Sequence, residues 1–254
     1  MSAVDSPPKT ISLPQTGGGK RTTCIALAGQ PNTGKTTLFN LLTGLRAKTA
    51  NFPGTTVEVR LSPFVLDSGT VTLLDLPGVY GLDDASPDQA AAKAALTGNA
   101  AGLPTPDAIV IVLDATRLPH QLPMAGELRA IGLPAVVAVN MIDEAKRKQI
   151  AIDFDALSSE LGAPVVPISS RRGTGIDALM DRVDALITGR LDDEEVPESL
   201  ASCSTCGGCA ITARCRWADS VSDRISPDSD KLHSPTGDVA DKLFTSPLTG
   251  IPLF

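Results

Sequence analysis

The residues Gly29-Gln30-Pro31-Asn32-Thr33-Gly34-Lys35-Thr36 have the types and spacing of a loop that wraps phosphate. Glycines let backbone amides close around a polyanion, and the helix that follows adds the positive end of its dipole. Lys35 is placed to reach the β- and γ-phosphates of a nucleotide, and the Thr36 hydroxyl to hold magnesium; Thr37 extends the set of nucleotide contacts. Asp75-Leu76-Pro77-Gly78 ends a later apolar run. There Asp75 suits magnesium bound through water, and the Gly78 amide suits a γ-phosphate. Between the two lies Asn51-Phe52-Pro53-Gly54-Thr55-Thr56-Val57-Glu58. A threonine in this loop is the expected magnesium and γ-phosphate sensor: Thr56, with Thr55 as the fallback.

The choice of base rests on Asn140-Met141-Ile142-Asp143. The Asp143 carboxylate can accept two hydrogen bonds from the N1–H and exocyclic amine of guanine, a pattern adenine does not offer. Met141 supplies apolar cover over the base. Ser169-Ser170-Arg171 follows the last apolar run, where a short loop completes a base pocket through its amides.

These loops need a scaffold. Apolar runs at residues 23–28, 71–74, 108–113, 135–139 and 165–168 are short enough to be buried strands. Helical segments are expected at residues 35–42, 87–97, 122–131, 154–161 and 176–187. Strand and helix in alternation imply an α/β fold, a mostly parallel sheet with helices on both faces. Residues 57–66 should form an antiparallel hairpin with 71–74 at the sheet edge, through Asp67-Ser68-Gly69.

Residues 1–21 read as a flexible tail, 22–188 as the nucleotide domain, and 189–254 as a linker, a cysteine-rich segment and a short helical appendage. In the appendage, Ile211, Cys215, Ala218, Val221 and Ile225 lie at near-helical spacing and predict one amphipathic helix over 211–225. A formal net charge of -7 and 3% aromatic residues argue against a nucleic-acid partner. No stretch approaches the roughly 20 apolar residues that cross a bilayer. A reducing cytosol is the expected compartment.

Together these strings closely resemble the ferrous iron transport protein B (FeoB) family. They include Thr37-Leu38-Phe39-Asn40-Leu41-Leu42-Thr43-Gly44 after the phosphate loop and Val79-Tyr80-Gly81-Leu82 after Gly78. The resemblance implies a P-loop NTPase of the Ras-like G-domain type that binds GTP and GDP with magnesium and hydrolyses GTP. It also implies a ferrous iron permease segment, in the same or another chain, and a place at the cytosolic face of the membrane. Asn32 matches an asparagine that helps bind potassium near the phosphates, so Lys35, Thr56 and Asn32 are the expected catalytic set. Val79 stands where many GTPases keep a water-orienting glutamine, which implies slow intrinsic hydrolysis and leaves the general base unassigned. The family's first membrane helix would be starting at Gly250-Ile251-Pro252-Leu253-Phe254. A GTPase of ribosome or RNA maturation and a metal-sensing GTP-binding module are the alternatives. The acidic balance counts against the first. A homo-oligomer is left open.

Cys203, Cys206, Cys209 and Cys215 crowd into 13 residues, with Gly207-Gly208 among them. Such spacing suits zinc or an iron–sulfur cluster. Redox thiols and plain packing are the competing readings, since Cys215 falls on the apolar face of the expected helix and where the family carries a tyrosine. Cys24 reads as structural, His120 as a loop residue beside Pro119, and Lys146-Arg147-Lys148 as a solvated run.

Overall fold

The computed structural model describes residues 22–44, 48–52, 57–83, 86–191, 197 and 207–225. The element order is β1 (Cys24–Gly29), α1 (Lys35–Thr43), β2 (Lys48–Asn51), β3 (Glu58–Leu66), β4 (Gly69–Asp75), α2 (Pro87–Leu96) and β5 (Ala108–Asp114). It continues α3 (Leu118–Arg129), β6 (Ala135–Asn140), α4 (Ile142–Arg147), α5 (Phe154–Leu161), β7 (Val165–Pro167), α6 (Ile176–Ile187) and α7 (Gly207–Ile225).

Seven strands form one sheet in the order β2-β3-β4-β1-β5-β6-β7. β1 pairs in parallel with β4 and β5, β5 with β6, and β6 with β7; β2–β3 and β3–β4 are antiparallel. Every residue of β1, β5 and β6 is buried. These strands are continuously apolar because helices cover both faces. Alternate side chains still divide between two cores. Cys24, Ala26, Ile109, Ile111, Val137 and Val139 join the layer under α3 and α5. Ile25, Leu27, Val110, Val112, Val136 and Ala138 join the layer under α1 and α6. That division follows from the two-residue period of a strand.

Local chemistry sets the helix ends. Ser86 caps α2 by accepting from Gln89 N at 3.2 Å. Asp153 caps α5 by accepting from Asp155 N at 3.1 Å and Ala156 N at 2.9 Å, and Gly162 ends it at φ 56°. Arg129, fully buried at the end of α3, donates to Leu161 O (3.0 Å), Gly162 O (2.7 Å) and Leu133 O (3.1 Å). Its charge thus sits on the negative end of α5. At the opposite face, Asp184 of α6 accepts from the amide and hydroxyl of Ser68, tying the β3–β4 turn to α6. The Ser68 hydroxyl chiefly, then its amide and Arg190, hold the Asp184 carboxyl below its ordinary value.

The structure departs from the sequence reading in five places. β2 adds an edge strand outside the hairpin, so β3 is not the edge. α3 begins at Leu118, four residues before the expected start at 122, and His120 lies in its first turn rather than in a loop. Proline is tolerated in a helix's first turn, where its missing N–H has no intrahelical acceptor. The six-residue α4 directly follows the Met141 position. α7 starts at Gly207 instead of 211. Its inward side chains include Trp217, Ala218, Val221 and Ile225, while Cys215 is exposed. The placement of Cys215 on the apolar face is therefore corrected. α7 packs on α3 and α5, and Asp153 N donates to Ile225 O at 3.0 Å, fixing its end beside α5. No described helix is long and apolar enough to cross a membrane.

Candidate functional site

The loops at the carboxyl ends of β1, β4 and β6 and after β7 converge on one cleft, the position where open α/β sheets bind ligands. Gly29 ends β1, and a Cβ there would collide with Val112 O of β5. The loop then turns through Asn32 (φ 65°) and Gly34 (φ 85°) into α1. Thr33 closes it by donating from Oγ1 to Gln30 O at 3.0 Å. The cavity beside it measures about 430 Å³ and is lined by Gln30, Pro31, Asn32, Gly34, Lys35, Thr36, Thr37, Gly78 and Met141.

Lys35 Nζ lies 2.6 Å from Asp75 Oδ1, both groups buried, and Thr36 Oγ1 donates to Asp75 Oδ2 at 3.4 Å. A cation donor, a hydroxyl and a carboxylate thus meet at the foot of the cavity. Hard oxygen donors of this kind suit magnesium. The chain beyond Asp75 is laid against the phosphate loop: Leu76 N donates to Leu27 O and Val79 N to Gly29 O, each at 3.1 Å. Gly78 packs so closely that a Cβ would stand 2.9 to 3.1 Å from Pro31 N, Cα and Cγ.

A second cavity of about 240 Å³ adjoins the first, sharing Gly34, Thr37 and Met141. Asn140, Asp143, Glu144, Ser169, Ser170 and Arg171 complete it. Asn140 is the brace. Its Nδ2 donates to Thr33 O at 2.8 Å, and its Oδ1 accepts from Ser170 N at 2.9 Å. Met141 takes a left-handed conformation (φ 62°) and lines both cavities. Asp143 accepts from Ser169 Oγ at 2.9 Å and pairs with Arg172 Nε at 3.1 Å. The Ser169 hydroxyl chiefly, with Arg172 adding, holds its carboxyl below the ordinary value. Asp143 is therefore ionised at neutral pH, as a pure acceptor. Ser170 lies on the same wall, and its buried hydroxyl has no hydrogen-bond partner among the described residues.

Residues 23–183 match the family described as ferrous iron transport protein B. The chain belongs to that family. The Fe(2+) transporter FeoB of Salmonella typhimurium is 44% identical over 165 residues, 63% of this chain and 21% of that protein. The chain thus spans about a fifth of the length of the curated FeoB relatives it matches. The solved G domain of T. maritima FeoB is 36% identical with a TM-score of 0.58, over 65% of this chain and 99% of that one. The T. maritima FeoB cytosolic domain in GMPPNP form is 25% identical with a TM-score of 0.64, over 80% and 99%. The fold is accordingly the P-loop NTPase fold of FeoB G domains.

Within this FeoB fold the cleft gathers Gly29, Gln30, Pro31, Asn32, Thr33, Gly34, Lys35, Thr36, Thr37, Asp75, Gly78, Asn140, Met141, Asp143, Ser169, Ser170 and Arg171. Thr55 and Thr56 lie outside the described residues, as do Cys203, Cys206 and the Cys209 side chain. No group of three or more potential metal ligands occurs among the described residues. The sequence reading missed Glu144 and Arg172. Arg172 reaches Asp143 because Ser169 N bonds Thr174 O at 2.9 Å and Arg172 N bonds Ser169 O at 3.1 Å, folding the loop back. Two adjacent arginines before Gly173 were the available signal, and Arg171 took the assignment.

Gly34→Ala is expected to damage this site selectively. A Cβ there would collide with Asn140 Nδ2, on a backbone conformation that costs a side chain about 1 kcal/mol or more. Nucleotide affinity measured by titration should fall at least ~10-fold, with far-UV circular dichroism unchanged. Wild-type affinity would refute the brace.

Proposed function

We propose that this chain binds GTP and hydrolyses it to GDP and phosphate, as the regulatory domain of a ferrous iron transport system. One observation carries the reading. The phosphate-loop cavity and the Asp143-walled cavity share Gly34, Thr37 and Met141, so they form one continuous cleft with a cation at one end and a carboxylate at the other. That order of charges matches the triphosphate and the guanine edge of one ligand. The GMPPNP form of a T. maritima relative and the Fe(2+) transporter name of the Salmonella relative support it.

In this reading the amides from Gly29 to Thr36 and the Lys35 ammonium bind the β- and γ-phosphates. Thr36, Asp75 and Thr56 (with Thr55 as the alternative) would hold magnesium, which neutralises charge on the phosphate oxygens. The Gly78 amide donates to the γ-phosphate. Asp143 accepts from guanine N1–H and N2–H, Met141 covers the base, and Asn140 with Ser169, Ser170 and Arg171 shapes the pocket. Water forms a bond to the γ-phosphorus as the bond to the β–γ bridging oxygen breaks, releasing GDP and inorganic phosphate. Asn32 would hold potassium near the phosphates, and the ion would supply the positive charge that an arginine finger supplies elsewhere. The buried Val79 has no group to orient water, so intrinsic turnover is slow.

We assign residues 22–188 to the G domain and 189–254 to an appendage that would lead towards a permease segment at the cytosolic face of the membrane. The four cysteines of the appendage are proposed as a zinc or iron–sulfur site.

Two measurements test this. GTP turnover in potassium should exceed that in sodium, and Asn32→Ala should abolish the difference; equal wild-type rates in the two salts would contradict the potassium assignment. Asp143→Asn should exchange guanine for xanthine preference, because the new amide donates where the carboxylate accepted. Retained guanine selectivity would overturn the base assignment.

A further inference from the structure

The loop beyond Gly78 is tied down at two points. Near its start, Val79 N donates to Gly29 O at 3.1 Å; near its end, Leu82 N donates to Glu127 Oε2 at 2.8 Å. Between them Tyr80 is 68% exposed, and a Cβ on Gly81 would stand 3.0 Å from the same Glu127 oxygen. Val79 and Leu82 enter the apolar layer that also holds Leu118, Leu122 and Leu128 of α3. Glu127 belongs to α3, and α3 is the main support of α7. Trp217, Ala218, Val221 and Ile225 of α7 are buried in that same layer. One carboxylate therefore joins the loop nearest the γ-phosphate position to the helix that carries the appendage. A hydrogen bond from an amide to a carboxylate is roughly twice as strong as a neutral one.

We propose that Glu127 is a positioning residue that fastens the loop from Gly78 to Leu82 to α3, so that a change in this loop on nucleotide exchange is delivered to α7. The inference rests on the GTP reading of the cleft. A γ-phosphate that draws in the Gly78 amide pulls on a segment whose far end is fixed to Glu127. The displacement passes to α3 and from there to the packed face of α7. Coupling of this kind is reciprocal, so the seating of α7 also biases the cleft between triphosphate and diphosphate. Nothing in the local sequence around Glu127 announces this role.

The chain carries its own reporters, because Trp217 is its one tryptophan and Tyr80 its one tyrosine. Tryptophan emission of the full chain, saturated with GDP and then with GMPPNP, reads the state of α7 without a label. The wild type should give different emission with the two nucleotides. In Glu127→Ala the difference should vanish while both nucleotides still bind, and the ratio of their affinities should shift at least ~5-fold. Glu127→Gln keeps an acceptor oxygen and should restore the difference. Glu127→Asp, which keeps the charge but draws the carboxylate back from Leu82 N by one methylene, should reproduce the loss independently if Glu127→Ala does not fold. A wild-type-sized difference in Glu127→Ala or Glu127→Asp would overturn the proposal, as would a wild type that binds both nucleotides without a change at Trp217. A chain that binds neither guanine nucleotide refutes instead the GTP reading on which the proposal stands.

Discussion

The side-chain amide of Asn140 holds three separate pieces of chain in register. Its nitrogen donates to Thr33 O in the phosphate loop, and its oxygen accepts from Ser170 N in the loop after β7, while its own backbone ends β6. The side chain is buried, so both bonds exist without competition from water. A buried amide costs free energy when either end lacks a partner, so the two loops are held together or the site is not formed. This explains why Gly34 must lack a side chain: the amide passes through the space a Cβ would occupy. The cleft is continuous because this brace brings the phosphate end and the carboxylate end to a common wall.

The sheet supplies the rigidity that the brace requires. β1, β5 and β6 are buried along their whole length and present their carboxyl ends together, so the loops leaving them start from fixed points. The charged groups are then held by fixed partners, Lys35 and Asp75 in buried surroundings. Lys35 and Asp75 are paired at the foot of the cleft, and Asp143 is kept ionised by Ser169 and Arg172. One apolar layer runs from the loop after Asp75 through α3 to α7, so α7 shares a core with the elements that carry the cleft.

Much of this was legible because the signals are local. α5 and α6 lie where the 3.6-residue pattern puts them, with the same ends. The nucleotide motifs were readable because each pairs a required residue type with a strand end. What escaped depends on partners distant in sequence. β2 is Lys-Thr-Ala-Asn, with no apolar alternation, and is a strand only because β3 offers it hydrogen bonds. Pro119 and Pro123 disguised the start of α3. Cys215 and Trp217 are two residues apart and both compatible with helical spacing, but the wider apolar surface of the indole takes the inward position. Glu127 and Arg172 are ordinary surface types until the fold aims one at Leu82 N and the other at Asp143.

An ionised carboxylate at one end of a phosphate-binding cleft is expected to select guanine. Calorimetric titration of the full chain with GTP and with ATP, each with magnesium, measures that selection. GTP is expected to bind at least ~10³-fold more tightly, since adenine offers the Asp143 carboxylate no N1–H and exocyclic N–H pair to accept from. Equal affinity for ATP would contradict it.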